Sequence, residues 1–328
     1  MLVPVGHTVG IKLFSRGIVV VKLTDGGTPA RECGLRTGDV IVKCGGDAVT
    51  STEQFQSLLQ KSGGNASNLQ VDRAGNSGSA VTSTEQFQTL LQKNGSEAAD
   101  LQISRSGNSM TLSVEPSQND QGVYCIGAWV RDSMAGIGTM TYYDPSTGVF
   151  GALGHGVTDT DTALLMPFSN GSILPSTVKA VKKGEAGSAG ELRGDFDLTN
   201  DLGPLYANTG SGIFGKLNTA PGTEAAVPVG TALPGPAVIR ANVQGDDVRE
   251  YCIEILKVSS NSTDGRDLVL SVTDPALLET TGGIVQGMSG SPILQNGKIV
   301  GAVTHVLLND PTKGYGILIE NMLDAAES

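Results

Sequence analysis

The sequence predicts a mainly β chain with a few helices, built as a small α/β part followed by a larger β part. Three observations carry that expectation. Glycine supplies 45 of 328 residues and only 17% are charged, which suits short strands and tight turns better than long helices. Apolar residues make up 39%, enough to bury a sizeable core, and the length suits about two domains of ~150 residues each. From Val123 onward, short apolar runs such as Ala237-Val-Ile-Arg, Tyr251-Cys-Ile-Glu-Ile-Leu and Lys298-Ile-Val-Gly-Ala-Val are punctuated by Gly, Pro, Asn and Asp. Few helical segments fall between them, so a sandwich or barrel is favoured over a doubly wound sheet.

The first element is the start itself. Met1-Leu-Val-Pro-Val lacks the basic opening and long apolar middle of a signal peptide, and no run approaches the ~18 apolar residues that span a membrane. Val9-Gly10-Ile11 follows, then the strand from Gly17 to Leu23, then Cys33-Gly-Leu-Arg-Thr-Gly-Asp-Val-Ile-Val-Lys-Cys44. This series resembles a PDZ domain. The resemblance implies a peptide added as an extra strand beside a helix, held by the free N–H groups of a loop at Val9, Gly10 and Ile11.

A tandem duplication comes next. Residues 48–76 and 80–108 match at a constant offset without gaps. Each copy opens with a capping box, Thr50-x-x-Glu53 and Thr82-x-x-Glu85, and continues with apolar residues at helical spacing, Phe55, Leu58 and Leu59, then Phe87, Leu90 and Leu91. A Gly-rich stop, a short strand ending in Arg73 or Arg105, and a Gly-Asn turn complete each unit. Two copies are too few for a solenoid. Only one is expected to be integral to the PDZ-like core, by joining the first helix to the second strand or by looping one unit out. The polar stretch 116–122 reads as a linker. The expected domains are therefore 1–115, PDZ-like, and 123–328, with the second expected to stand without the first.

The sharpest chemical signal is Gly287-Met-Ser-Gly-Ser-Pro292. A serine in a Gly-x-Ser-Gly-x-Pro turn is similar to the nucleophile loop of chymotrypsin-type proteases, with the N–H groups of Gly287 and Ser289 aimed at a developing oxyanion. Ser291 occupies the second glycine position of the α/β-hydrolase elbow, so that reading fails. Ser289 is the expected nucleophile, because Pro292 restricts Ser291 to extended backbone. A serine nucleophile needs a base, and the chain has three histidines. His7 sits in the PDZ-like half, and His305 lies on a strand after the serine loop, where packing or cleft lining is expected. His155, in Gly151-Ala-Leu-Gly-His-Gly-Val-Thr-Asp159, is left as the base. For the orienting carboxylate, spacing alone does not choose among Asp159, Asp161 and Asp274; an Asp before Pro also starts turns.

Together with Trp129-Val-Arg-Asp-Ser-Met-Ala-Gly-Ile-Gly138, Gly190-Glu-Leu-Arg-Gly194 and Gly212-Ile-Phe-Gly215, these motifs resemble the SpoIVB peptidase family (stage IV sporulation protein B) over nearly the whole chain. The resemblance implies a chymotrypsin-like double β-barrel serine peptidase behind a PDZ domain, with His155, Asp274 and Ser289 catalytic. It also implies self-cleavage, and cleavage of a regulator between the mother-cell and forespore membranes that triggers a membrane-embedded protease and sigma-factor maturation. Members of that family usually begin with a hydrophobic anchor or export segment, which this sequence does not show.

The remaining features narrow the partners. A net charge of −11 argues against nucleic acid or an anionic membrane, leaving protein or peptide substrates and a PDZ-bound segment. Cys33, Cys44, Cys125 and Cys252 show no paired spacing, so neither a zinc site nor a disulfide scaffold is expected, and no metal or other cofactor is needed. The competing expectation is a catalytically inactive PDZ-containing scaffold that binds peptides.

Overall fold

The computed structural model describes residues 1–44, 83–197, 199–219, 225–259 and 265–327. The first repeat copy, 48–76, with its Thr50–Glu53 box, lies outside the described residues. Two compact units form, each from separate stretches: one holds 1–13, 135–157 and 170–328, the other 14–134 and 158–169. Residues 1–13, expected with the PDZ-like half, thus group with the β-rich unit.

The smaller unit is PDZ-like. The later part of β2 (Thr8–Leu23) pairs β3 (Val40–Cys44), which pairs β4 (Ala99–Arg105), which pairs β5 (Asn108–Val114). The β4–β5 hairpin turns at Ser106 and Gly107, both left-handed (φ 49° and 79°), as a tight two-residue connection requires. Short helix α1 (Pro29–Glu32) and α2 (Thr84–Asn94) cover the sheet, and Phe87 and Leu91 of α2 are buried with Ile18, Ile41, Leu101 and Ile103. The second repeat copy therefore supplies both helix and strand here. Its cap differs by one residue from the expected box: Ser83, not Thr82, accepts from the N–H of Gln86.

The stretch 116–122 is folded within this unit. There β6 (Ser117–Gln118) pairs β7 (Tyr124–Cys125), and Asn119 Oδ1 accepts from the N–H groups of Gln121 and Val123 across the turn. The chain then runs along α2. Tyr124 O accepts from Gln88 Nε2 (2.7 Å) and Gln92 Nε2 (2.6 Å), while Ile126 O and Gly127 O accept from Ala30 N and Thr24 N. The flank of α2 is thus occupied by the chain's own backbone.

The larger unit contains two six-strand assemblies with one topology. The first uses β2, β8 (Ala128–Tyr143), β9 (Val149–Ala152), β10 (Phe168–Lys182), β12 (Gly203–Thr209) and β13 (Gly212–Lys216). Its order is β2-β8-β9-β13-β12-β10, and β10 pairs β2 again. Ahead of β2, β1 (Val3–Pro4) pairs β8, and Val5 N and Gly6 N donate to Thr141 O and Met140 O. The side strand β11 (Glu191–Phe196) pairs β10.

The second assembly is a closed barrel of β14 (Gly235–Gln244), β15 (Asp247–Val258), β16 (Leu268–Val272), β17 (Pro292–Gln295), β18 (Lys298–Val306) and β19 (Lys313–Leu318). Its order, β14-β15-β16-β19-β18-β17, repeats the first-second-third-sixth-fifth-fourth pattern of the other. Helix α3 (Pro275–Thr281) bridges β16 and the serine loop, and α4 (Ile319–Ala326) follows β19. Inward residues Ile239, Ile253, Leu270, Ile293 and Val303 fill this barrel. The architecture is mainly β with a few helices: a PDZ-like part and paired barrels. No helix among the described residues is long and apolar enough to cross a membrane.

Candidate active site

Two loops of the larger unit meet, and the sequence explains why each turns as it does. After β9 the backbone enters the left-handed region twice in succession, at Leu153 (φ 68°) and Gly154 (φ 69°), and so throws His155 off the strand. A non-glycine residue in that region is uncommon and clusters at functional sites. Glycine is required at 154 because an added Cβ would lie 2.9 Å from Thr304 Cγ2 and from Ile317 Cγ2. On the other loop, Gly287 (φ 99°) and Gly290 (φ 97°) bracket Ser289. A Cβ at 290 would sit 2.0 Å from Thr139 O and 2.6 Å from Leu153 N. The serine loop is therefore pressed directly against the histidine loop.

The side chains converge on β18. Ser289 Oγ donates to Thr304 O (2.7 Å), and the rings of His155 and His305 lie 5.0 Å apart with a 37° tilt. His155 Nδ1 is 2.9 Å from Gly156 O. A carbonyl can only accept, so in the neutral ring Nδ1 carries the hydrogen and Nε2 keeps a lone pair for a proton. Burial pushes the His155 pKa below the ordinary imidazole value, with the Gly156 carbonyl opposing. Among the described residues, neither Gly287 N nor Ser289 N has a backbone acceptor, which leaves both for an oxyanion. His7 is exposed, and Ser291 is fully buried.

Asp274 is not brought to His155. It is the N-cap of α3: Oδ1 accepts from Ala276 N (2.9 Å) and Leu277 N (3.1 Å), and Oδ2 from Cys252 N (3.2 Å). Pro275 at the first helical position fixes this geometry, so the Asp-Pro pair acts as a helix start. Asp159 and Asp161 serve in the smaller unit, both paired with Arg131, and Asp159 also receives Thr162 N (2.9 Å). No carboxylate among the described residues accepts from His155. The expected peptide-binding loop is likewise corrected. Val9, Gly10 and Ile11 are buried within β2, and Gly10 is small because a Cβ there would come 2.5 Å from Phe196 Cδ1. Apolar-Gly-apolar reads equally well as a strand passing close to an aromatic ring.

Sequence reasoning missed Thr139, which is 1% exposed and bonded to both loops. Its N–H donates to Ser289 O (2.9 Å), its hydroxyl to Gly287 O (2.7 Å), and its carbonyl accepts from Leu153 N (3.2 Å). Nothing in the local pattern Gly138-Thr-Met-Thr141 marks it, because its partners lie far off in the chain.

The profile of the SpoIVB peptidase S55 family matches residues 122–323, and that of the PDZ domain residues 20–73. No curated protein matches the chain. Among solved structures, the chain is similar to the Rv3671c protease of M. tuberculosis in its active form, at 13% identity and a TM-score of 0.33, over 59% of this chain and 73% of that one. It is similar also to the thermostable serine protease AL20 from an extremophilic microorganism, at 14% identity and a TM-score of 0.33, over 64% of this chain and 94% of that one.

Proposed function

The chain belongs to the SpoIVB peptidase S55 family and is a serine peptidase with a PDZ domain, acting on proteins or peptides; we propose that Ser289 and His155 carry its chemistry through an acyl-enzyme. The observation that carries this reading is the convergence of both side chains on Thr304 and His305, with the imidazole tautomer set by Gly156 O. Ser289 leaves Thr304 O, gives its proton to His155 Nε2 and attacks the scissile carbonyl. The oxyanion is received by the N–H groups of Gly287 and Ser289. The C–N bond then breaks, His155 returns the proton to the leaving amine, and water repeats the sequence on the ester. Asp274 acts as a helix cap, and the backbone carbonyl of Gly156 takes the orienting role.

A fluorophosphonate probe tests this. Labelling of the wild type that is lost in Ser289→Ala supports the assignment. A second reading, the inactive peptide-binding scaffold, draws on the hydroxyl of Ser289 being given to Thr304 O instead of to an imidazole. Well-folded protein that never labels at neutral pH would select it.

The finer biology rests on the family. We propose that the enzyme cleaves itself and then a regulator of a membrane-embedded protease, between the two membranes of a developing endospore. Incubation of purified wild type should yield new N-termini that Ser289→Ala does not, and a full-length wild-type chain after prolonged incubation would remove self-cleavage.

A further inference from the structure

We propose that Thr139 is a positioning residue for the oxyanion site, acting through its hydroxyl; this rests on the assignment of Ser289 above. The Ser289 donor lies on the 288–289 peptide, whose carbonyl, Met288 O, accepts from Ser291 N (3.0 Å) inside the loop, so the two neighbouring peptides decide how that turn is set. Gly287 has no side chain and is left-handed at φ 99°, a region in which glycine is unrestrained. The direction of its carbonyl is set from outside the loop. The 287–288 peptide is tied at both ends, its carbonyl by Thr139 Oγ1 (2.7 Å) and its N–H, that of Met288, by Val285 O (3.1 Å). The 289–290 peptide is tied by Thr139 N, which donates to Ser289 O (2.9 Å). Thr139 thus holds the two peptides that flank the 288–289 peptide, whose N–H is that of Ser289, and so steadies that donor; the Gly287 N–H lies on the 286–287 peptide, which is tied elsewhere, Gln286 O accepting from Leu192 N (2.8 Å).

The same residue references the base. Thr139 O accepts from Leu153 N (3.2 Å), two positions before His155. The backbone bonds would be made by any amino acid at this position; the hydroxyl bond needs Thr or Ser. Thr139 is 1% exposed, so loss of the hydroxyl would leave Gly287 O without its donor and the 287–288 peptide held, among the described residues, by the Met288 N–H alone. The strand supplies its own control. Thr141, two residues on, is also fully buried, but its hydroxyl has no partner among the described residues.

The test compares Thr139→Val, Thr139→Ser and Thr141→Val by the rate at which a fluorophosphonate labels Ser289 and by peptide turnover. Removing a whole oxyanion donor costs roughly 100- to 1,000-fold, so misaiming one should slow labelling and kcat by about 10- to 100-fold. KM should hold, Thr139→Ser should restore most of the rate, and Thr141→Val should match the wild type. Labelling of Thr139→Val at the wild-type rate, or Thr139→Ser as slow as Thr139→Val, would overturn the role. If Thr139→Val does not fold, Thr139→Ala takes its place; failure of both to fold while Thr139→Ser folds would make the hydroxyl a determinant of folding and refute the positioning role. A wild type that never labels would instead sink the Ser289 assignment, and this proposal with it.

Discussion

On the proposed assignment His155 is a base whose ring is oriented by a neutral partner, Gly156 O. Without a facing carboxylate, nothing offsets the burial that holds its pKa below the ordinary value, apart from the Gly156 carbonyl. The neutral form is the active one, so kcat/KM is expected to persist as pH falls through about 6.5, where free imidazole titrates, and to decline only lower. An acid limb at or above that value would show a counter-charge that this geometry does not supply. Stability follows the same sign. The unfolded chain takes up the proton first, so this residue costs stability only as pH falls below about 6.5 and nothing above it. Ser291 gives the second residue-scale outcome. Its hydroxyl is buried with no partner among the described residues, so Ser291→Ala should keep activity and keep or raise the melting temperature, whereas a dead enzyme would reverse the choice of nucleophile. Both histidine and serine were legible in the sequence because each lies in a glycine-framed loop whose chemistry is local. Thr139 was not, because its meaning lies wholly in distant partners.

Helix starts and ion pairs show how an element can mislead. Asp274 was matched by family motif to a catalytic role, yet its local sequence, Asp followed by Pro275, already describes the cap that the structure contains. Asp274→Asn retains the capping oxygen and is expected to keep most activity. Asp274→Ala should cost about 1 kcal/mol of stability. A loss near 10⁴-fold in Asp274→Asn, about what an orienting triad aspartate is worth, would restore the catalytic reading. In the PDZ-like unit the ion pair of Arg105 with Asp39 anchors the β4–β5 hairpin: Nε and Nη2 reach the two carboxylate oxygens at 2.7 Å each, and Nη2 also reaches Gly34 O at 2.9 Å. The Asp39 side chain is 1% exposed, so Arg105→Ala strands a buried charge and should cost on the order of 3 kcal/mol, measured by denaturant unfolding. The repeat made that arginine conspicuous, since it recurs as Arg73, but nothing in it named its acceptor. The cap of α2 slipped to Ser83 for a related reason: Thr82, Ser83 and Thr84 are all competent caps, and only packing of Phe87 and Leu91 selects the phase.

At the level of the whole molecule, strands were legible and their neighbours were not. Short apolar runs between turns announced the two β assemblies, but the pattern of six is set by pairings across long stretches of chain, which no local period records. The strand from Thr8 is the clearest case. Its residues 8–13, expected in the PDZ-like half, instead help build the first barrel, while its later part pairs β3 in the smaller unit. A chain lacking residues 1–115 is therefore expected to lose fluorophosphonate labelling; retained labelling would mean that the barrel closes without that strand. Excising residues 48–79, by contrast, should leave folding and melting temperature intact or improved, because the second copy supplies α2 and β4 and leads into β5; collapse on excision would show both copies in one core. The interleaving of stretches also sets a timetable. As the chain is synthesised, the barrel strands that residues 8–13 pair with, β8 and β10, emerge only with residues 135–182, and Ser289 comes later still, ahead of the strand whose Thr304 receives it. The smaller unit can close far earlier, once residues 158–169 have followed. Ser289 and Thr304 thus emerge only after the stretches that build the smaller unit and the first barrel, so on the proposed assignment the chain gains its nucleophile when most of the bonds ahead of it can already be folded away.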